Sequence, residues 1–354
     1  MDMKRTVEIG ILQSRSGGYQ AIARSNLMGA YAAIDAVNAD PDISVRLVPV
    51  ERDPEGKIDL YAPLCQDILT ASRARHVLGC VTSWSRKEVL PVLERAGATL
   101  WYALPYEGFE ASDHVVYMHA CPNQHLLPLL DWAMPRHGRR VHLLASNYIW
   151  GWEINRLARE VITTAGGEIT GERHLPLGAV DVTGMVDEIA VLRPDYVLNS
   201  LIGPSQYAFV AEMAARLPGL PILSCNLTES ELPLMGATSE GLVAAGPYFR
   251  DPGQSGGFGN SHEAAAHAAI MEMARLFHRH PGGEDLPLAE LLARDAGAGP
   301  IDPATHHTTL PVLIAEVCGG AFHVLHRRPA VMGDPYLTRP DRLPEARPSF
   351  RVIR

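Results

Sequence analysis

The residues best equipped for chemistry stand in four short clusters, each directly behind a β-branched run. The first is Val81-Thr-Ser-Trp-Ser-Arg-Lys-Glu88, which gathers hydroxyls where a helix is about to begin. Ser85 and Glu88 have the S-x-x-E spacing of a capping box, so helix punctuation accounts for part of the cluster. Ser83 is left over, and beside the unpaired N–H groups of a first helical turn it could hydrogen-bond a carbonyl oxygen. The second cluster, Ala103-Leu-Pro-Tyr-Glu-Gly-Phe-Glu110, follows Tyr102. It reads as a Pro/Gly turn, yet the flat faces and polar tips of Tyr102 and Tyr106 suit a small planar polar molecule. The third, Ser146-Asn-Tyr-Ile-Trp-Gly-Trp152, holds three aromatic residues within five positions, more apolar area than a surface loop carries without a use. Packing of a crossover helix is the competing account. In the fourth, Ser224-Cys-Asn-Leu-Thr-Glu-Ser-Glu231, Asn226 or Thr228 reads as a helix cap, and a role in holding a guest is the weaker reading.

Catalytic constellations are missing. No H-E-x-x-H or C-x-x-C string occurs, and no G-x-S-x-G, G-x-G-x-x-G or G-x-x-x-x-G-K-[ST] loop directly follows a strand. His306-His307 and the His278/His280 pair read as solvated surface, and Glu107 and Glu110 as salt-bridging neighbours rather than an acid–base pair. The expectation is a binding protein that is not an enzyme and takes neither metal nor cofactor.

The elements that must position these clusters alternate regularly. Strand-like Val7–Leu12, Val45–Val50, His76–Cys80 and Thr99–Tyr102 are separated by helical Ala21–Asn38, Ile58–Arg73 and Ser85–Ala96. The pattern restarts after Cys121-Pro-Asn123, with strands Val141–Ala145, Glu168–Leu175, Tyr196–Ser200 and Pro221–Cys225 between helices Gln124–Arg136, Gly151–Ala165, Val182–Leu192 and Ser205–Leu217. Repeated βα units imply parallel sheets, and 354 residues exceed what one core organises. The expected fold class is therefore α/β, two doubly wound parallel-sheet lobes with a cleft between them. Beyond Tyr248 come a glycine-rich stretch, a helix over His262–His278 and a hairpin-like segment from Ile301 to His326. The chain is expected to return to lobe one and finish near lobe two. The first lobe would then comprise residues 1–120 plus about 250–325, and the second 121–249 plus about 326–354.

A net charge of −9 with no Lys/Arg stripe speaks against direct nucleic-acid binding. No apolar run reaches membrane-spanning length, so no membrane span is expected. The start of the chain lacks a leader pattern, and five scattered cysteines read as buried reduced thiols, which together predict a cytoplasmic address.

Several strings resemble the amide-sensing regulators of amidase operons. They are Gly79-Cys80-x-x-Ser83-x-x-Arg86-Lys87, Leu90-Pro-Val-x-Glu-Arg-Ala96, Pro105-Tyr-Glu-Gly-Phe-Glu110, Ser146-x-Tyr-Ile149, Ala120-x-Pro122-Asn123-Gln124 and Ala245-x-Pro247-Tyr248-Phe249. Thr82-Ser83-x-Ser85-Arg86-Lys87 is also similar to the urea-binding receptors of ABC importers. The resemblance spans most of the chain and implies a type I periplasmic-binding-protein fold with three crossings between lobes. It further implies a ligand-controlled partnership with an RNA-binding antiterminator protein; a homodimer is possible. Transport of urea or short-chain amides to a permease is the alternative. The family's pocket positions fall on Val81, Ser83, Tyr102, Leu104, Pro105, Tyr148, Trp150, Ile202 and Leu227. Relative to the amide sensor, Val81 and Trp150 stand for tyrosines, and Leu104 and Leu227 for threonines. Lost hydroxyls and added apolar area, roughly 1.5–3 kcal/mol per fully buried side chain, point away from acetamide. The expected guest is a bulkier or more apolar amide, or a urea- or nitrile-like molecule, and uncharged because no Arg, Lys or Asp is evident among these positions.

Overall fold

The computed structural model describes residues 4–110, 112–253 and 256–338. The first half builds β1 (Arg5–Leu12), α1 (Gln20–Ala39), β2 (Val45–Arg52), α2 (Tyr61–Ala71), β3 (His76–Gly79), α3 (Ser83–Ala96), β4 (Thr99–Tyr102) and β5 (Val115–Tyr117). These strands form a parallel five-stranded sheet in the order β2-β1-β3-β4-β5. The chain then crosses into α4 (Leu126–His137), β6 (Arg140–Ser146), α5 (Ile149–Thr164), β7 (Glu168–Leu175), α6 (Thr183–Leu192), β8 (Tyr196–Ser200), α7 (Pro204–Arg216), β9 (Ile222–Ser224), α8 (Leu232–Met235) and β10 (Val243–Gly246).

Helices α9 (Ser261–Arg279) and α10 (Leu288–Arg294) return to the first lobe, where Ala265, Ala266, Ala269 and Phe277 share a core with Ala30, Ala33 and Val37 of α1. The contact is close because its residues are small. A Cβ at Gly29 would overlap the carbonyl oxygen of Glu263. The hairpin β11 (Thr309–Cys318) and β12 (Ala321–Met332) completes a second sheet in the order β12-β11-β10-β9-β8-β6-β7. Here the sequence expectation needs correction: residues 309–325, assigned above to the first lobe, lie in the second. Val312, Ile314, Ala315 and Val317 of β11 are buried on both faces of the strand, as in a strand inside a covered sheet, and β10 and β12 pair with its two edges antiparallel. Residues 339–354, expected with the second lobe, lie outside the described residues, as do residues 1–3.

The chain passes between the sheets near residues 118–125, 247–260 and 301–308, and side chains knit these crossings together. Gln124 donates to the Thr308 and Val331 carbonyls at 2.9 and 2.8 Å, and Asn123 to the Met332 carbonyl at 3.0 Å. His306 and His307, expected on the surface, are buried here instead. The His307 ring stacks on Tyr117 at 4.4 Å, and Tyr117 stacks on Tyr106 at 4.2 Å. Cys65, Cys80 and Cys225 are buried free thiols, whereas Cys318 is an exposed one. Among the described residues no helix is long and apolar enough to cross a membrane.

Candidate functional site

In doubly wound sheets ligands sit beyond the carboxyl ends of the strands, where the strand order reverses. The reversals here fall between β1 and β3 in one lobe and between β6 and β8 in the other. The residues just after β3, β4, β6 and β8 therefore face a common space.

Behind β3 the chain turns into α3 two residues earlier than expected. Thr82, in extended conformation, is the N-cap: its Oγ1 accepts the Ser85 N–H at 3.2 Å, while Ser85 Oγ accepts the Thr82 N–H at 2.9 Å. The capping box is thus Thr82 with Ser85 rather than Ser85 with Glu88. Ser83 is released from capping duty; it is buried, and its Oγ has no hydrogen-bond partner. Tyr102, at the end of β4, donates to the Val81 carbonyl at 3.3 Å and so ties the two loops together. Opposite them, Tyr148 occupies the N-cap position of α5 without capping it through its side chain, and Trp150 follows with its Nε1–H buried and unpartnered. Ser146 Oγ accepts the Ile202 N–H at 3.1 Å, which fixes the loop after β8 against the loop after β6.

The lobes are closed on one another. Trp84 meets Tyr148 edge-on at 5.9 Å, and the Arg156 guanidinium lies 4.8 Å above the Phe109 ring. Gly203, at φ 61° and ψ −141°, comes so near Gly18 that a Cβ would overlap the Gly18 carbonyl oxygen. Between them is a cavity of about 30 Å³. Val81, Ser83, Tyr102, Leu104 and Pro105 line it from the first lobe, and Tyr148, Trp150 and Ile202 from the second.

Leu227 is the predicted position that the cavity leaves out. It is buried in the core of the second lobe with Leu201, Phe249 and Phe322, because Ser224 Oγ accepts its N–H at 3.2 Å and turns the loop inward. Tyr106 is also absent from the lining; its hydroxyl accepts the Glu110 N–H beside the hinge. Asn226 and Thr228 do not cap a helix, since α8 begins only at Leu232, and Asn226 instead reaches the lining. The lining further includes Ile22, Thr82 and His262, which the sequence reading did not single out. Ile22 and His262 sit on helices rather than in the loops that follow strands. The signal for His262 is its place two residues past the cap Asn260, whose Oδ1 accepts the His262 N–H at 3.0 Å.

Charge is present near the cavity but already committed. Arg86 is fully buried; its Nη2 donates to Glu107 at 2.5 Å and its Nε to Glu110 at 2.9 Å, and Lys87 reaches Glu110 at 2.7 Å. Burial alone would raise the Glu110 pKa, but Arg86 and Lys87 outweigh it and hold the carboxyl at about 2. The guanidinium lies 4.8 Å from the Tyr102 ring, on which the cavity rests. His262 is neutral, its pKa brought down to about 3 by burial. A polar guest would thus meet hydroxyl, indole and imidazole groups rather than a free ion. Another groove between the lobes, about 780 Å³, runs from Arg24 and Met28 to Tyr207 and Leu234. Its walls include the exposed Met28 and Leu234, whereas the smaller cavity gathers buried polar atoms that lack partners, the feature that marks a place for a guest.

Solved structures similar to this one share its architecture at low identity. A solute-binding protein of an ABC transporter from R. palustris in complex with benzoate has a TM-score of 0.82 at 17% identity, covering 93% of this chain and 98% of that one. A second, from Rhodopseudomonas palustris HaA2 with p-hydroxybenzoic acid, gives 0.80 at 19%, covering 94% and 98%. The branched-chain amino acid transporter substrate-binding protein LivJ from Streptococcus pneumoniae, in complex with isoleucine, gives 0.78 at 17%, covering 93% and 100%. These likenesses show the type I periplasmic-binding-protein fold, two α/β lobes with mostly parallel sheets. With a family model matching residues 7–254 as well, the chain belongs to the periplasmic binding protein domain family.

Proposed function

We propose that this protein is a solute receptor of the ABC-importer type that closes on a small uncharged polar molecule of the amide or urea class and releases it unchanged. The carrying observation is the inter-lobe cavity in which Ser83 Oγ, Trp150 Nε1 and both ring nitrogens of His262 are buried without partners. A buried polar group without a partner costs about 1–3 kcal/mol, so a guest that satisfies several of them is held firmly. An amide or urea supplies both a carbonyl acceptor and N–H donors. The absence of an uncommitted charge among the described lining residues favours a neutral guest, since a carboxylate buried there would lack a counter-ion. Size points the same way. A cavity of about 30 Å³ holds roughly two waters on the scale where one needs about 10–15 Å³, so Leu104 and Trp150 fill the cleft rather than widen it. An aromatic acid or a bulky amide would have to push the walls apart.

Hydrolysis finds little support. Ser83 Oγ and the His262 nitrogens all lack hydrogen bonds, so the pair is not joined as nucleophile and base. A second reading, a ligand-gated regulator that holds an RNA-binding antiterminator, rests on the Pro105–Glu110 string that resembles the amide-sensing regulators and here builds the buried Arg86 ion cluster.

A thermal-shift panel of acetamide, propionamide, urea, acetonitrile, benzoate and leucine tests the proposal. A guest at 100 times its dissociation constant stabilises by about 2.7 kcal/mol, so an amide or urea should raise Tm while benzoate and leucine leave it unchanged. A shift with the carboxylates alone would refute it. Deleting the gene and following uptake of the labelled guest separates the readings: an importer receptor loses uptake, whereas a regulator loses induction of the enzyme that consumes the guest.

A further inference from the structure

We infer that His262 reads the guest, presenting to it a ring nitrogen that can serve as N–H donor or as acceptor, and that this contact selects an amide- or urea-type group over a carboxylate. The inference rests on the function proposed above and goes deeper into the same cavity. His262 is 1% exposed, lines the cavity, and has neither ring nitrogen partnered. Its backbone is held on both sides: the N–H donates to Asn260 Oδ1 at 3.0 Å, and the carbonyl accepts from Asn26 Nδ2 at 3.3 Å. The ring is thereby placed, but not occupied.

The ionisable groups around it do not charge it. The His119 ring lies 5.5 Å away. His119 Nδ1 accepts the Ala120 N–H at 2.8 Å, so its proton sits on Nε2 and is donated to Ser261 Oγ at 3.1 Å. Burial and the neighbouring His262 and His125 keep His119 neutral as well, and His125 is lowered to about 4 by burial. Arg86 is paired with Glu107 and Glu110. A neutral imidazole must have one protonated and one bare nitrogen. An amide meets whichever nitrogen faces it, its oxygen accepting from a protonated one or its N–H donating to a bare one. A carboxylate can only accept, and beside a neutral ring it would lie buried without a counter-ion.

The test is calorimetric titration of acetamide, propionamide, urea and benzoate into the wild-type protein, His262→Phe and His262→Asn. His262→Phe keeps a flat ring without nitrogens, and should weaken the best wild-type neutral guest about tenfold or more. His262→Asn restores a donor and an acceptor and should recover part of the loss. If the wild type binds a neutral guest and His262→Phe binds it equally well, the inference fails while the proposed function stands. If the wild type binds benzoate and no neutral guest, both fail. Should His262→Phe not fold, ¹⁵N imidazole spectra of the wild type decide: a His262 ring nitrogen should shift on saturation with the neutral guest, and unmoved resonances would overturn the inference.

Discussion

Ser83 and Tyr148 line the cavity from opposite lobes, which makes their substitutions informative about binding rather than folding. Ser83→Ala removes a hydroxyl that has no partner in the protein, so its free Tm should hold within about a degree while affinity for the neutral guest falls about tenfold. Tyr148→Phe should act in the same direction; unchanged affinity in both would remove them from the site. Arg86 predicts the opposite. Arg86→Met leaves Glu107 buried beside an apolar chain, a change that costs about 3–5 kcal/mol, and urea denaturation should show it even without a guest. Several of these positions were legible in the residues themselves: a hydroxyl beside a helix start and two aromatic side chains behind β6 are plain from the string. Leu227 was not legible, because one hydrogen bond from its N–H to Ser224 turns the side chain into the core, and a local string does not show which way a loop residue points. His262 escaped for the complementary reason: sequence spacing does not reveal that a helix returning some 140 residues later packs beside β5's exit.

At the scale of elements, alternating βα patterns located nearly every strand and helix, since their cores are continuous apolar runs. The three-residue β5 and the four-residue β10 were not visible, being too short to show a period. Hydrophobic alternation likewise told that β11 and β12 are strands but not which sheet they join, a matter of long-range pairing. The loop after β8 carries a device of its own. Gly203→Ala places a Cβ against the Gly18 carbonyl only when the lobes are closed, on backbone that favours glycine. Affinity should drop tenfold or more, and a variant that binds and closes as the wild type does would disprove the contact's role. The neighbouring loop answers to pH. Burial lifts Glu231 to about 8 from an ordinary 4.5, so the folded state retains a proton that the unfolded chain has released. That contribution is intact below about pH 4.5 and is lost as pH rises towards 8. Glu231→Gln should therefore flatten the decline in Tm between pH 5 and 8.5, by roughly 2–4 °C for each kcal/mol recovered. A decline as steep as the wild type's would contradict it.

Over the whole molecule, two lobes joined by three crossings can swing, and a guest that touches both favours the closed arrangement by its differential affinity. X-ray scattering should show the radius of gyration shrinking on addition of a bound guest, with Gly203→Ala shrinking less. Closure also explains how a cavity so small can fill: the guest enters an open cleft, and the walls then settle around it. The most direct test is calorimetric titration of the wild-type protein at pH 7 with urea and acetamide against benzoate. Saturable one-to-one binding of a neutral compound, with no heat from benzoate, is the predicted result. Tight binding of benzoate with no response to any neutral amide or urea would contradict the account.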